Sequence, residues 1–245
     1  MPARTDQATD LQVVADLAGV RLGTASFRRA LSRVTDAGFD EPSGLPGWTR
    51  RHLVAHVGYN ARAISRLVVW ADTGVVTPMY SSPEERGREI EFGATLRPQA
   101  LRSLSDHSAI ELDVRWRDLP ADRWDRTVVT AQGRHVPVSE TLWMRAREVW
   151  LHAVDLRTGT RVRDIPEPVL RRLMDDVYSL WDRRGDATSW TLREIGGQEA
   201  VWDAAGSGAV EVRGDLAALV GWATGRELRE LTFSDDDPRP APRWL

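Results

Sequence analysis

The stretch SETLWMRAREVWLHAVDLRT, residues 139–158, decides the fold of this chain. Its apolar spacing predicts a helix, with Gly159 directly behind it as a stop signal. Glu148 and His152 are four residues apart and therefore share one face of that helix. Large apolar residues such as Trp143 surround the pair. The two polar side chains are therefore predicted to point into a helix bundle, where each needs a partner.

A second pair, His52 and His56, lies on another predicted helix that begins after Thr49 as its N-cap. Facing helices of a bundle supply the ligands of many metal sites. Either histidine could therefore join Glu148 and His152 around a divalent metal such as zinc. His52 is favoured, because the first turn of a helix is open to solvent and loops, and His56 is then a supporting or packing residue. The ordinary alternative is a set of hydrogen-bonded core histidines and a surface Glu–His pair.

The composition restricts the class of protein. The chain has 245 residues and a formal net charge of -3, which argues against a surface for nucleic acids. It shows no signal peptide and no run of about 20 apolar residues, so we expect a soluble, cytoplasmic protein. It contains no cysteine. Any thiol chemistry therefore requires a thiol from outside the chain.

Helical spacing recurs along the first two thirds of the chain, with a short hairpin at about residues 124–138. Four long helices with one longer connection predict a bundle. After Pro166 the pattern changes to a helix, short strands separated by glycine turns such as Gly206–Gly208, and a last helix from Asp215 to about Thr224. We therefore predict two domains, residues 1–163 and residues 164–245.

Several segments resemble the mycothiol-dependent maleylpyruvate isomerases of the DinB-like superfamily. The likeness covers nearly the whole chain and is looser from about residue 184 to residue 239. The segments that carry it are GWTRRHLVAHVGYN (47–60), TPMY (77–80), TAQGR (130–134), the start of the opening stretch (139–156) and PRWL (242–245).

The resemblance implies a mainly α fold, a DinB-like four-helix bundle followed by a smaller α/β domain of the sterol-carrier type. It implies zinc held by His52, Glu148 and His152, with an open position for the thiol of mycothiol. It also implies three catalytic residues, of which the last two contact the thiol as well: Arg86, Asp155 and Arg226.

The main functional hypothesis is the cis–trans isomerisation of 3-maleylpyruvate to 3-fumarylpyruvate in gentisate degradation. A thiolate adds to the double bond, the resulting single bond rotates, and elimination restores the alkene in the trans form. One alternative is a zinc-dependent transferase that joins mycothiol or a similar thiol to an electrophile, and another is a non-catalytic metal-dependent binding module. The expected partners are a small dicarboxylate and a dissociable thiol, without nucleic acid or membrane, and a monomer is the simplest expectation.

Overall fold

The computed structural model describes residues 5–204 and 209–244, so the predicted turn at Gly206–Gly208 and the terminal Leu245 lie outside the described residues. The chain divides into two units, one ending at Thr160 and the other beginning at Arg161. The boundary predicted from the sequence, between residues 163 and 164, lies three residues further along the chain.

The first unit is helical, which confirms the predicted mainly α fold. Its bundle is formed by four long helices, of which α1 packs on α5 and α2 packs on α4, while the shorter α3 lies against α2. Strands β1 and β2 form the predicted antiparallel hairpin. The elements are α1 (Leu11–Ser32), α2 (Arg50–Thr73), α3 (Pro83–Ala94), α4 (Pro98–Asp118), β1 (Thr127–Val129), β2 (His135–Pro137) and α5 (Glu140–Asp155).

The helix ends follow local chemistry. Asp10 caps α1 by accepting hydrogen bonds from the backbone N–H groups of Gln12 and Val13. Gly74 ends α2 with a φ of 76°, a left-handed conformation that glycine adopts without strain. Helix α5 ends at Asp155, earlier than predicted, because Arg157 takes a φ of 53° and stops the helix before Gly159.

Gly23 allows α1 and α5 to approach each other closely. A Cβ at this position would lie 2.7 Å from both Trp150 Nε1 and Val149 Cγ2, closer than atoms in a packed core can come. Gly19, one turn earlier on α1, would meet no atom within 4 Å. The position of α5 against α1 therefore depends on the missing side chain of one glycine.

The second unit is a small α/β fold with a sheet in the order β4-β3-β5-β6, in which β3 and β5 are parallel and the other pairs antiparallel. Its interior is aromatic, with Trp222 in edge contact with Trp181 and Trp190. Trp244 is buried, as an apolar end to a polar tail suggests. The elements are α6 (Glu167–Arg184), β3 (Trp190–Glu194), β4 (Val201–Asp203), β5 (Val210–Gly214), α7 (Leu216–Ala223) and β6 (Thr232–Phe233). No helix among the described residues of either unit is long and apolar enough to cross a membrane.

The two glycines of α1 give opposite predictions. Gly23→Ala should lower the free energy of unfolding by about 1–3 kcal/mol, because the added methyl group overpacks the contact with α5. Gly19→Ala, in open space on the same helix, should raise it by about 0.5–1 kcal/mol through helix propensity. Urea denaturation of both variants measures the difference. Equal stabilisation by the two substitutions would contradict the close α1–α5 contact.

Candidate metal centre

Helices α2 and α5 bring together His56, Glu148 and His152. One ligand atom from each side chain lies within 4.8 Å of the other two. Both imidazoles contact the same carboxylate oxygen, Glu148 Oε2, at 2.8 Å from His56 Nε2 and 3.1 Å from His152 Nε2. The two rings meet edge to face, with their centroids 5.1 Å apart. Two nitrogens and one oxygen from facing helices therefore converge on one place.

The cluster is mostly withdrawn from water. The exposed fraction of the side chain is 6% for His56 and 11% for His152, whereas Glu148 keeps 19% and opens the cluster to solvent. Burial by itself would raise the pKa of Glu148, but the two imidazoles outweigh it and hold that pKa well below its usual range. The carboxylate is thus ionised at neutral pH, the state in which it binds a cation.

The two histidines have opposite proton affinities. Burial lowers the pKa of His56, and the nearby Glu148 only partly compensates. Burial also opposes the charge of His152, but hydrogen bonds to Asp155 and Glu148 raise its pKa overall. In this structure His152 is therefore the imidazole that holds its second proton more tightly. A metal ion would have to displace that proton from Nε2, the nitrogen that faces Glu148.

Asp155 orients His152. Its Oδ2 accepts a hydrogen bond of 2.8 Å from His152 Nδ1, which leaves Nε2 directed at the cluster. The Asp155 side chain is only 1% exposed. This burial favours an orienting role over the contact with thiol or substrate that the family resemblance implies. Carboxylates in this position are common behind metal-binding histidines.

The position of His52 in the structure differs from its predicted position as a metal ligand. The predicted ligand set contains His52, but the structure brings His56 to Glu148 and His152 instead. In the first turn of α2, His52 Nδ1 lies 2.7 Å from Thr49 Oγ1 and accepts a hydrogen bond of 3.3 Å from the Thr49 backbone N–H. The reason is geometric: helical side chains lean toward the N-terminus, so the imidazole of a first-turn residue reaches the cap.

A turn before α2 ties the two ligand-bearing helices together. The N–H of Gly44 donates to the carbonyl oxygen of Asp155 at 2.7 Å, and Arg50 Nε donates to that of Leu156 at the same distance. A Cβ at Gly44 would lie 2.9 Å from the Cα of Asp155. The ring of Trp48 lies 5.4 Å from that of His56, measured between centroids. Sequence reasoning missed these contacts, and the only signal for them was the density of turn residues before the helix.

Two further residues lie within electrostatic reach of the cluster. Arg86 is exposed on α3, and its charge helps to lower the pKa of His56. Tyr80, which was not predicted as a site residue, is half-buried. Burial raises the pKa of its phenol, while the charge of Arg86 acts to lower that pKa and the charge of Glu148 acts to raise it. Arg226, the remaining predicted residue, lies in the second unit after α7, where its Nη1 donates to the carbonyl oxygen of Thr224 at 3.0 Å.

The donor set fits a divalent metal, and zinc in particular. Two imidazole nitrogens and one carboxylate oxygen are a usual set for zinc sites that keep a coordination position open. Glu148 is ionised, and the proton on His152 Nδ1 is held by Asp155, so the atoms that face the cluster are those that a metal requires. Several oxygen ligands, as calcium or magnesium prefers, are not present among the described residues of this cluster.

The two histidines of α2 can be separated by alanine substitution. We expect His56→Ala to abolish stoichiometric zinc binding, because it removes one of the three converging donors. His52→Ala should keep the metal and lose about 1 kcal/mol of stability with the helix cap. Metal analysis of both purified variants, with circular dichroism as the folding control, measures the outcome. Loss of zinc in His52→Ala but not in His56→Ala would show that His52 is the ligand, as predicted from the sequence.

Known proteins resemble this chain along most of its length. The sequence profile described as "Mycothiol maleylpyruvate isomerase N-terminal domain" matches residues 20–157. A crystal structure of the mycothiol-dependent maleylpyruvate isomerase is 47% identical, with a TM-score of 0.91, covering 95% of this chain and 97% of that one. A crystal structure of a histidine-to-alanine mutant of that enzyme matches with the same identity, score and coverage. A comparison with curated proteins found no match. The chain therefore belongs to the mycothiol maleylpyruvate isomerase family.

Proposed function

We propose that this protein is a zinc- and thiol-dependent isomerase that converts 3-maleylpyruvate to 3-fumarylpyruvate. The observation that carries the proposal is the buried convergence of His56, Glu148 and His152 on one place that is still open to solvent at Glu148. The substrate comes from the family likeness, since a related structure at 47% identity is named for this reaction.

Zinc and the thiol supply the chemistry that this chain lacks. A zinc ion held by His56, Glu148 and His152 would lower the pKa of a thiol bound to it. The thiol supplies a nucleophile whose reversible addition turns the double bond of the substrate into a single bond that can rotate. The chain contains no cysteine, so no thiol of its own competes for the metal or for the substrate.

The residues of the first unit have separate roles in this proposal. His56, Glu148 and His152 hold the metal, and the turn at Gly44 keeps α5 in place. Asp155 is a positioning residue that retains the proton on His152 Nδ1. The low exposure of His56, His152 and Asp155 limits the access of water and strengthens the electrostatic interactions between these groups.

Arginine side chains suit the anionic ends of the substrate. The guanidinium group binds two carboxylate oxygens at once and also stabilises negative charge that develops on an enolate oxygen. Arg86 is exposed and close enough for its charge to act on His56, which makes it the first candidate for this role. The family likeness adds Arg226 as a second contact for the substrate or the thiol.

The activity is tested by a steady-state assay on 3-maleylpyruvate with and without mycothiol. We expect turnover only with the thiol, loss of turnover after treatment with a chelator, and recovery when zinc is added. Glutathione in place of mycothiol tests the choice of thiol. Turnover without any thiol would contradict the proposal. Accumulation of a stable thiol adduct would favour a transferase, and stoichiometric zinc without turnover would favour a binding module.

The role of Asp155 gives a prediction that depends on pH. Because its hydrogen bond raises the pKa of His152, protons should compete with zinc for His152 Nε2 more strongly as the pH falls through that raised value. In Asp155→Asn we expect zinc affinity at neutral pH to fall about 10- to 100-fold, and the pH below which the affinity begins to decline to move to a lower value.

A competition titration against a chelating dye, from about pH 8 to about pH 5.5, measures both quantities. Asp164→Asn, a change at an exposed aspartate of the second unit, is the control and should leave both unchanged. An unchanged zinc affinity in Asp155→Asn would exclude the orienting role.

A further inference from the structure

Helices α1 and α4 leave a groove between them. The α1–α4 groove, as we call it, has a volume of about 210 Å³. Ion pairs join the two helices beside it, from Arg21 to Asp113 at 2.6 Å and from Arg28 to Asp106 at 2.9 Å. Exposed charges therefore border the groove, whereas much of its lining is short or apolar. Such lining residues are Val20, Thr24 and Ala25 of α1, and Ala109, Leu112 and Trp116 of α4.

A buried arginine of a third helix also lines the α1–α4 groove. This residue is Arg145 of α5, which is only 2% exposed. Burial lowers its pKa to about 10, so the guanidinium group is still positively charged at neutral pH. A buried charge is costly unless it is both paired and hydrogen-bonded. The groove therefore gives a ligand access to a cation that is shielded from bulk water.

The charge of Arg145 is not balanced by an ion pair among the described residues. Its acceptors there are the carbonyl oxygen of Val57, at 2.8 Å, and Asn60 Oδ1, at 2.9 Å, and both are uncharged. The charge of Glu148 acts on Arg145, but that carboxylate is already shared by two imidazoles. The arginines beside the groove, by contrast, each have an aspartate. A carboxylate brought by a ligand would supply the missing countercharge.

One edge of the Arg145 guanidinium group is available to a ligand. Both of its hydrogen bonds use Nη1, which fastens the group to α2 and fixes its orientation. Nε and Nη2 donate to no acceptor among the described residues. These two N–H groups lie side by side in the guanidinium plane, so they match the two oxygens of one carboxylate. Because the orientation is already fixed, binding costs less entropy.

We propose that the α1–α4 groove is a binding site for a small organic monocarboxylate, with the carboxylate on Arg145 and the apolar body against Trp116 and Leu112. Trp116 is 3% exposed, and its Nε1 donates to Thr141 Oγ1 at 3.1 Å, so its ring is a fixed wall. The volume of about 210 Å³ is below the roughly 300–1,000 Å³ of sites for drug-sized ligands, which restricts the ligand to a small molecule. Asp113 lines the same groove and disfavours a second negative charge on the ligand.

Calorimetric titration of the full chain with benzoate tests the proposal. Benzoate joins one carboxylate to a flat apolar ring, and benzamide has nearly the same shape without the charge. We expect benzoate to bind at least about 10-fold more tightly than benzamide, because a hydrogen bond to a charged group is stronger than one to a neutral group. Equal binding of the two compounds, displacement of benzoate by chloride at the same concentration, or no binding of benzoate at millimolar concentrations would each overturn the proposal.

Two variants of α1 locate the site without changing Arg145. Ala25 and Ala18 are both exposed, but only Ala25 lines the groove. Ala25→Phe should fill the groove and lower the affinity for benzoate at least about 10-fold through steric exclusion. Ala18→Phe is the matched control and should leave the affinity unchanged. In Arg145→Met, with circular dichroism as the folding control, the preference for benzoate over benzamide should be lost.

A carboxylate can also bind to a metal ion in the cluster of α2 and α5, so the titration is repeated after treatment with a chelator. Binding in the groove should persist without metal, and Ala25→Phe should still weaken it. Binding that disappears with the metal, or that Ala25→Phe leaves unchanged, would exclude the groove as the site. None of these measurements requires turnover, so their outcome is independent of the proposed function.

Discussion

The structure of the first unit depends on one half-buried carboxylate that is held between two imidazoles. Glu148 contacts His56 and His152 through a single oxygen, and neither helix could bury these groups alone without a large desolvation cost. Their pairing therefore requires α2 and α5 to face each other at one rotation and one height. The hydrogen bonds of Gly44 to Asp155 and of Arg50 to Leu156 hold that register from outside the cluster. A polar cluster that needs several partners at once specifies a single arrangement more strictly than apolar packing does.

Helix α5 connects the packing of the bundle to the chemistry of the cluster. On one side, Val149 and Trp150 close over Gly23 of α1. On another, the buried Arg145 donates to the carbonyl oxygen of Val57 and to Asn60 Oδ1, both on α2, and burial lowers its pKa to about 10. These contacts fix α5 before any metal binds, so the donor atoms are organised in advance. Preorganisation of this kind is what allows a metal site to keep a coordination position open.

The sequence by itself determined most of the elements and two of the three residues of the cluster. Residues four apart on a helix must share a face, so Glu148 and His152 could be paired without knowledge of the fold. Cap and stop residues predicted most helix ends. The strand β6 was not predicted, because two residues are too few to show an alternating pattern. The choice between His52 and His56 could not be made in this way, because both lie on the same face of α2. Only the tertiary structure decided it. The imidazole of His52 contacts Thr49 in the first turn of α2, whereas His56, one turn later, lies where α2 faces α5. For Asp155, the spacing alone puts its side chain beside His152, three residues earlier on the same helix. Its burial arises only when the helices pack, and burial is what favours the orienting role.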